Sequence, residues 1–317
     1  MPNLVRAVLL GAACATAACS SPRQATYITI LTGSTSGVYY PLGVGLSQIF
    51  RAAVPEATVS VQATAASAEN LHLLQAERGE FAFTLGDVLF DAWQGREAAG
   101  FKAPLGKLRL VAGIYSNYVQ IVANAETGVA TLGDLKGRRI SVGAPGSGTE
   151  LNARAIVRAA GLSYGDFSKV EYLPFGESVD LIKNRQLDIT LQSAGLGVAS
   201  LRDLAASVRI VMVPIPPEVV RAVGNPVYQP GVIPAGTYEG QDAPVDTATI
   251  QNFLVTHEGV PDDQVYRMTK AMFERLDQLV ASHVSAKEIT RERAVKSLPV
   301  PLHPGAAAYY REAGLIE

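Results

Sequence analysis

The sequence predicts an α/β protein built as two lobes that face each other across a cleft. Three observations lead there. One order of elements (strand, Gly/Ser-rich loop, helix, strand, helix, strand) occurs twice along the chain. The 317 residues exceed the roughly 100–200 of one typical domain and fit two. Strands that alternate with helices imply parallel sheets covered on both faces.

In the first copy, residues 27–32 read as a strand, β-branched and apolar between turn residues. The loop Gly33-Ser34-Thr35-Ser36-Gly37 follows, then an apolar-periodic helix over 38–53 that stops before Pro55. A second strand covers 58–64, and Ser67, as N-cap, opens a second helix that runs to about Arg78 before Gly79. The third strand is 81–85, ending at Gly86-Asp87. The second copy repeats this with a strand at 139–143, the loop 144–149, a helix ending at Gly161, a strand at 169–173, a helix at 177–185 and a strand at 187–191. The pattern repeats, but residue identity between the copies is weak. Residues 109–122 and the region 227–238 are the expected interlobe connections, and 247–255 a strand returning to the first lobe. Helices at 262–282 and 306–313 would pack around that lobe. The expected division is 1–19 leader, 20–26 linker, 27–120 with 235–317 as lobe 1, and 121–234 as lobe 2.

Composition sets the outer limits. Hydrophobic residues make up 48% and charged residues 18%, which excludes a disordered chain. With Lys+Arg at 27 and Asp+Glu at 29, a net charge of -2 provides no basic field for nucleic acid or an anionic membrane surface.

The apolar run 7–18 behind Arg6 is too short to span a bilayer and reads as a secretory signal peptide. Thr16-Ala17-Ala18-Cys19 resembles the bacterial lipoprotein cleavage box, in which the Cys becomes the lipidated N-terminus. Thr16 stands where that box usually has Leu, and the alternative is ordinary cleavage near Ala17 or Ala18, releasing a free periplasmic chain. Both cysteines, Cys14 and Cys19, fall in this leader, so disulfides, thiolate catalysis and Cys-bound metals are excluded from the globular part.

The two loops are the candidate binding elements. A helix N-terminus offers unpaired N–H groups and partial positive charge, and ligands of open α/β sheets sit at the strands' carboxyl ends. Gly37 and Gly148 would let a ligand approach the backbone, and Ser34, Ser36, Ser147 and Thr149 would add hydroxyls. The second loop has the glycine spacing of a nucleotide P-loop, but Thr149 and Glu150 stand where that motif needs Lys and Ser/Thr. The dinucleotide fingerprint fails at Leu151, so neither ATP nor NAD is expected. His72, His257, His283 and His303 show no metal-ligand spacing, and no nucleophile elbow is present. His303, between Leu302 and Pro304, is expected to make a structural hydrogen bond. Nothing in the sequence demands chemistry, and no cofactor or metal is expected.

Gly37-Val38-Tyr39-Tyr40-Pro41-Leu42-Gly43, Ser67 with Asn70-Leu71, the stretch 144–150, Ile233-Pro234-Ala235-Gly236-Thr237-Tyr238, His303-Pro304-Gly305-Ala306 and Tyr309-Tyr310-Arg311-Glu312 resemble the TAXI receptors (TRAP-associated extracytoplasmic immunogenic proteins). The likeness spans about 27–314. It implies a type II periplasmic binding protein fold that closes on a small solute such as glutamate, 2-oxoglutarate or 2-hydroxyglutarate. It further implies delivery to a TRAP membrane permease driven by an ion gradient. The chain departs from the family at 192–197, where Gly197 replaces a usual Pro, and at Gly86 before Asp87.

The expected ligand contacts are Ser34, Ser36, Gly37, Tyr39, Ser67 and Asn70 on the first lobe, and Ser147, Gly148, Thr149 and Glu177 on the second. Tyr40, Asp87 and Gln192 are weaker candidates. Amides and hydroxyls would hold one carboxylate while Asn70 and a Tyr hydroxyl orient the rest. Glu177 would receive an ammonium or hydroxyl, or would only stabilise its own helix start. Competing readings are a sensor that presents its ligand to a membrane signalling protein, a secreted enzyme using the cleft carboxylates, and a receptor serving an ABC transporter.

Overall fold

The computed structural model describes residues 26–317; the leader, with Cys14 and the lipidation expected at Cys19, lies outside them. The first repeated unit is β1 (Thr26–Leu31), α1 (Tyr39–Ala53), β2 (Ala57–Gln62), α2 (Ser67–Gln75) and β3 (Phe81–Leu85), followed by α3 (Gly86–Gln94) and the long β4 (Leu108–Asn124). The second unit is β5 (Arg139–Ser141), α4 (Gly148–Ala159), β6 (Lys169–Glu171), α5 (Phe175–Lys183) and β7 (Ile189–Ala194). Then come α6 (Ala199–Ser207), β8 (Ile210–Val213), α7 (Pro217–Ala222), β9 (Gln229–Ile233) and the long β10 (Val245–His257). The chain ends with α8 (Asp262–Glu274), α9 (Leu276–Ser282), α10 (Arg291–Ala294) and α11 (Pro304–Glu312).

The strands hydrogen-bond in the order β2-β1-β3-β10-β4-β7-β5-β6, with β8 beside β4 and β9 beside β10. Each repeated unit contributes a parallel set, β2-β1-β3 in one lobe and β7-β5-β6 in the other. β4 and β10 run antiparallel between these sets and belong to both. The second long passage is therefore β10; the segment expected as a connection, 227–238, forms β9 against the first half of β10. Successive strand residues bury on opposite faces, as Phe81 and Phe83 join one core cluster and Ala82 the other. Apolar residues on both faces are what a parallel sheet covered by helices requires.

Local differences from the sequence expectations have visible causes. The helix expected over 262–282 breaks at Arg275, where φ is -126° and ψ is 36°. The break turns α9 onto α1, where Gly45 lies so close that a Cβ there would be 2.4 Å from Ser282 Oγ. The N-cap of α2 is Ala66 and not Ser67, because the Ser67 hydroxyl instead accepts from the Leu85 N–H at 3.2 Å. His303 is the N-cap of α11; its Nδ1 accepts from the Gly305 N–H at 3.2 Å, the structural bond expected. Gly305 itself lets α11 touch α8, since a Cβ would sit 2.1 Å from the Asp262 carbonyl oxygen.

Asn70 fastens the strand ends of the first unit. Its Nδ2 donates to the Thr32 and Phe83 carbonyls at 2.7 and 2.9 Å, and its Oδ1 accepts from Thr64 Oγ1 at 2.6 Å. The side chain is fully buried. Asn70→Ala should lower stability by about 2–3 kcal/mol in urea denaturation, because two buried carbonyls lose their donor. A loss below about 0.5 kcal/mol would remove this role.

Candidate functional site

Every parallel strand hands the chain to a helix at its carboxyl end, and five of these junctions meet at one cavity of about 240 Å³. Val38, Ala66, Leu85, Ser147 and Pro174, the residues just before α1, α2, α3, α4 and α5, all line it. Each helix start carries N–H groups without intrahelical acceptors and about half a unit of positive charge. No Asp, Glu, Lys, Arg or His lines this cavity among the described residues. The donors that face the cavity are therefore backbone N–H groups and neutral side chains.

Seven of the expected contacts line the cavity: Ser34, Gly37, Tyr39, Ser67, Ser147, Gly148 and Thr149. Ser147 caps α4, its Oγ accepting from the Glu150 N–H at 3.1 Å. Its proton is left to point toward another acceptor. Thr149 Oγ1 accepts from the Ser193 N–H at 3.4 Å, tying α4 to β7. Gly148 has a more demanding neighbour than a ligand: a Cβ there would lie 2.6 Å from both Ser67 Oγ and Leu85 Cδ1 of the opposite lobe. The Tyr39 ring stacks on Phe83 at 5.1 Å, and its hydroxyl donates to Asn252 Oδ1. Asn252 Nδ2 in turn donates to Asn117 Oδ1 at 2.7 Å and to the Tyr115 carbonyl at 3.1 Å. The Tyr39 hydroxyl is thus committed to the frame.

The other expected contacts lie elsewhere. Ser36 Oγ bonds Ser34 Oγ at 3.0 Å, and its carbonyl accepts from the Ser200 N–H at 3.3 Å, across to α6. Asn70 is spent on the strand ends described above. Glu177 is exposed on α5, and Tyr40 is half-buried on α1; neither lines the cavity. Gln192 is fully buried on β7, its Oε1 accepting from Ser200 Oγ at 2.6 Å.

Asp87, on the first turn of α3, joins the lobes away from the cavity wall. Its Oδ2 accepts from Asn152 Nδ2 of α4 at 2.7 Å and from the Tyr228 hydroxyl at 2.6 Å. Burial raises this carboxyl from 3.8 to about 6, partly offset by the Tyr228 hydrogen bond. The remaining cleft-side carboxylate, Glu150, is paired with Arg154 at 2.8 Å.

Sequence reasoning missed three further lining residues, Tyr115 and Asn117 of β4 and Ser193 of β7. The Tyr115 hydroxyl and Ser193 Oγ have no hydrogen-bond partner among the described residues, although both are buried. Their positions fall inside apolar strands and read as core; no local signal separates them. Nothing in the sequence marks Ala66 either. Its φ of 77° and ψ of -157° are conformations of glycine, held where its N–H donates to Thr64 Oγ1 at 3.0 Å. Strain of this kind, about 1–3 kcal/mol, tends to persist at binding sites.

A two-lobed α/β chain whose strand ends converge on a cavity between the lobes has the fold of the periplasmic binding proteins. The chain belongs to the NMT1-like family, which it matches over residues 30–314. Among solved structures it is similar to the periplasmic binding protein BugD, with 10% identity over 92% of this chain and 98% of that one, at a TM-score of 0.57. It is equally similar to MatC from Rhodopseudomonas palustris, solved with bound malate, with 12% identity over 91% and 97% of the two chains and a TM-score of 0.57. A putative L-cystine ABC transporter protein from Listeria monocytogenes matches with 11% identity over 84% and 98%, at a TM-score of 0.50. At these identities the likeness is one of fold.

The Asp87 carboxyl gives a pH signature. A carboxyl raised by folding binds more protons in the native than in the unfolded state, so its contribution is full below pH 4 and is lost as pH rises to about 6. The loss is on the order of 3 kcal/mol. Asp87→Asn should flatten that part of the stability profile in urea denaturation between about pH 4 and 6. An unchanged profile would assign the proton uptake to another group.

Proposed function

We propose that the protein is an extracytoplasmic solute receptor that binds a small carboxylate or amino acid and delivers it to a TRAP-type permease. The observation that carries this reading is the convergence of five helix starts on one cavity without a charged side chain. Such a site attracts an anion and contributes no acid or base to transform it. Its volume lies below the 300–1,000 Å³ of pockets for drug-sized molecules, which suits a metabolite of a few carbons.

The order of motifs along the chain supports the TAXI resemblance within the broader family, and with it the glutamate, 2-oxoglutarate and 2-hydroxyglutarate class and the TRAP partner. The signal-like leader supports export to the periplasm, with Cys19 as the lipidation site. No helix among the described residues is long and apolar enough to cross a membrane. We draw the lobes as 27–120 with 235–317 and as 121–234, because β4 exchanges its β10 neighbour for β7 and β8 along its length.

Native mass spectrometry of the purified chain, followed by calorimetry with small carboxylates and amino acids, tests the reading. Saturable binding of at least one is expected; no heat with any would reject the ligand class. Ser147→Ala combined with Thr149→Ala should weaken binding by about 1–3 kcal/mol through lost hydroxyl donors. Gly148→Ala should cost at least about tenfold in affinity and leave the lobes further apart in small-angle scattering, because the new methyl meets Ser67 and Leu85. Wild-type affinity in that variant would show that the lobes need not meet there.

A further inference from the structure

Asp87 and Asn152 bury a carboxyl of the first lobe against an amide of the second, and both side chains are at least nine-tenths buried. Asn152 Nδ2 donates to Asp87 Oδ2 and to the Tyr228 hydroxyl, both at 2.7 Å, and that hydroxyl donates to the same Asp87 oxygen at 2.6 Å. The other two oxygens, Asp87 Oδ1 and Asn152 Oδ1, are buried and have no hydrogen-bond partner among the described residues. While the carboxyl is ionised both are acceptors, so neither can satisfy the other. Neither is open to solvent, which leaves no room for a solute to bond them. A proton needs no room. On Asp87 it turns an acceptor into a donor and removes a buried charge that no cation balances.

The charged and titratable groups around the pair do not replace that proton. On α3, Asp91 is paired with Arg96 at 3.1 Å, and on α4, Glu150 is paired with Arg154. Packed beside α3, α2 carries Glu69 and His72, β10 carries Asp246 and His257, and Glu97 follows α3 in the chain. Arg293 and Lys296 line the groove that Gly86 enters from the other side. Burial has the largest influence on the Asp87 carboxyl and raises it; the Tyr228 hydroxyl and the N–H groups of Val88 and Asp87 lower it, and Asp91 raises it further. Tyr39 and Tyr228 are themselves held protonated by burial. Parting the lobes returns Asp87 to water, where such a carboxyl titrates near pH 4. The proton is therefore bound more tightly with the lobes together, and by linkage it draws them together.

We propose that protonation of Asp87 clamps the two lobes shut, so that they part less in acid than at neutral pH and a captured solute is held more tightly. The clamp lies in the contact between the lobes and does not depend on which solute is bound.

Hydrogen exchange of the unliganded chain tests it. The Glu69 N–H donates to the Gly146 carbonyl at 3.2 Å and the Ser200 N–H to the Ser36 carbonyl at 3.3 Å, each across the lobes. Both amides sit in the first turn of a helix and have no acceptor within it, so parting the lobes exposes them without unfolding either helix. Corrected for intrinsic exchange, their protection should rise about tenfold from about pH 7.5 to about pH 5. Asp87→Asn has the same shape and its own donor for Asn152 Oδ1, and should show the higher protection at both pH values. Asn152→Asp sets two carboxyls across the contact and should move the midpoint upward by at least about one pH unit, because the pair then shares a proton. Protection that is flat with pH in the wild-type chain, or that rises equally in Asp87→Asn, would overturn the clamp. So would an unmoved midpoint in Asn152→Asp. Glu69 and Ser200 amides protected as strongly as the Phe83 amide in β3 would also overturn it, because the lobes would then part only on unfolding. The receptor reading survives each of these results, since no ligand takes part.

Discussion

The direction of the chain through each strand–helix unit is the constraint on which the rest of the structure depends. In a parallel unit the strand is left at its carboxyl end and the next helix is entered at its amino end. Repeating the unit therefore stacks helix starts along one edge of each sheet. With the two parallel sets joined through β4 and β10, five helix starts reach the same cavity. Their N–H groups create a positive potential without any basic side chain, and that potential is fixed by the fold. It needs no salt bridge to set it up and no side chain to be ordered when a ligand arrives.

Around that cavity the frame is held by neutral hydrogen bonds. Asn252 connects Tyr39 of α1 to Asn117 of β4, and Tyr238 connects the segment after β9 to Gln120 of β4 and to the Gly197 N–H. Two carboxyls join this frame: Glu69 Oε2 accepts from the Ala65 N–H at 2.6 Å, and Asp87 accepts from Asn152 and Tyr228, both neutral. Neutral partners leave the Asp87 carboxyl without a compensating charge, which is why burial moves it upward instead of a cation moving it downward. The bond from Asp87 to Asn152 crosses between lobes, as do those from the Glu69 N–H to the Gly146 carbonyl and from the Ser200 N–H to the Ser36 carbonyl. The lobes thus touch through short polar contacts and through the backbone-close approach at Gly148.

Much of this was legible in the sequence, because the relevant signals are local. The third strand of the first unit matches its expected bounds, Phe81–Leu85, since turn residues flank an apolar run on both sides. That the loops around Gly37 and Gly148 run into helix starts was legible because clusters of serine, threonine and glycine mark such junctions, and both loops line the cavity. What stayed hidden depends on contacts between distant segments. Tyr115 and Ser193 look like core residues until β4 and β7 are placed side by side under the cavity. Asn70 looks like a ligand contact until the Thr32 and Phe83 carbonyls are seen to claim its amide. Glu177 has the right position on a helix start, yet the side chain is exposed and outside the cavity wall. Spacing along the chain does not report which way a polar side chain turns.

In the proposed receptor, backbone N–H groups and not a basic side chain would hold the anion between the lobes. The most direct measurement is to titrate the tightest-binding carboxylate and its primary amide into the same protein under the same conditions. The two ligands share shape and differ in charge. The amide should lose at least about a hundredfold in affinity, as expected when a charge-assisted set of hydrogen bonds becomes neutral. An amide that binds as well as the acid would contradict it, and the converging helix starts would then be architecture without a role in recognition.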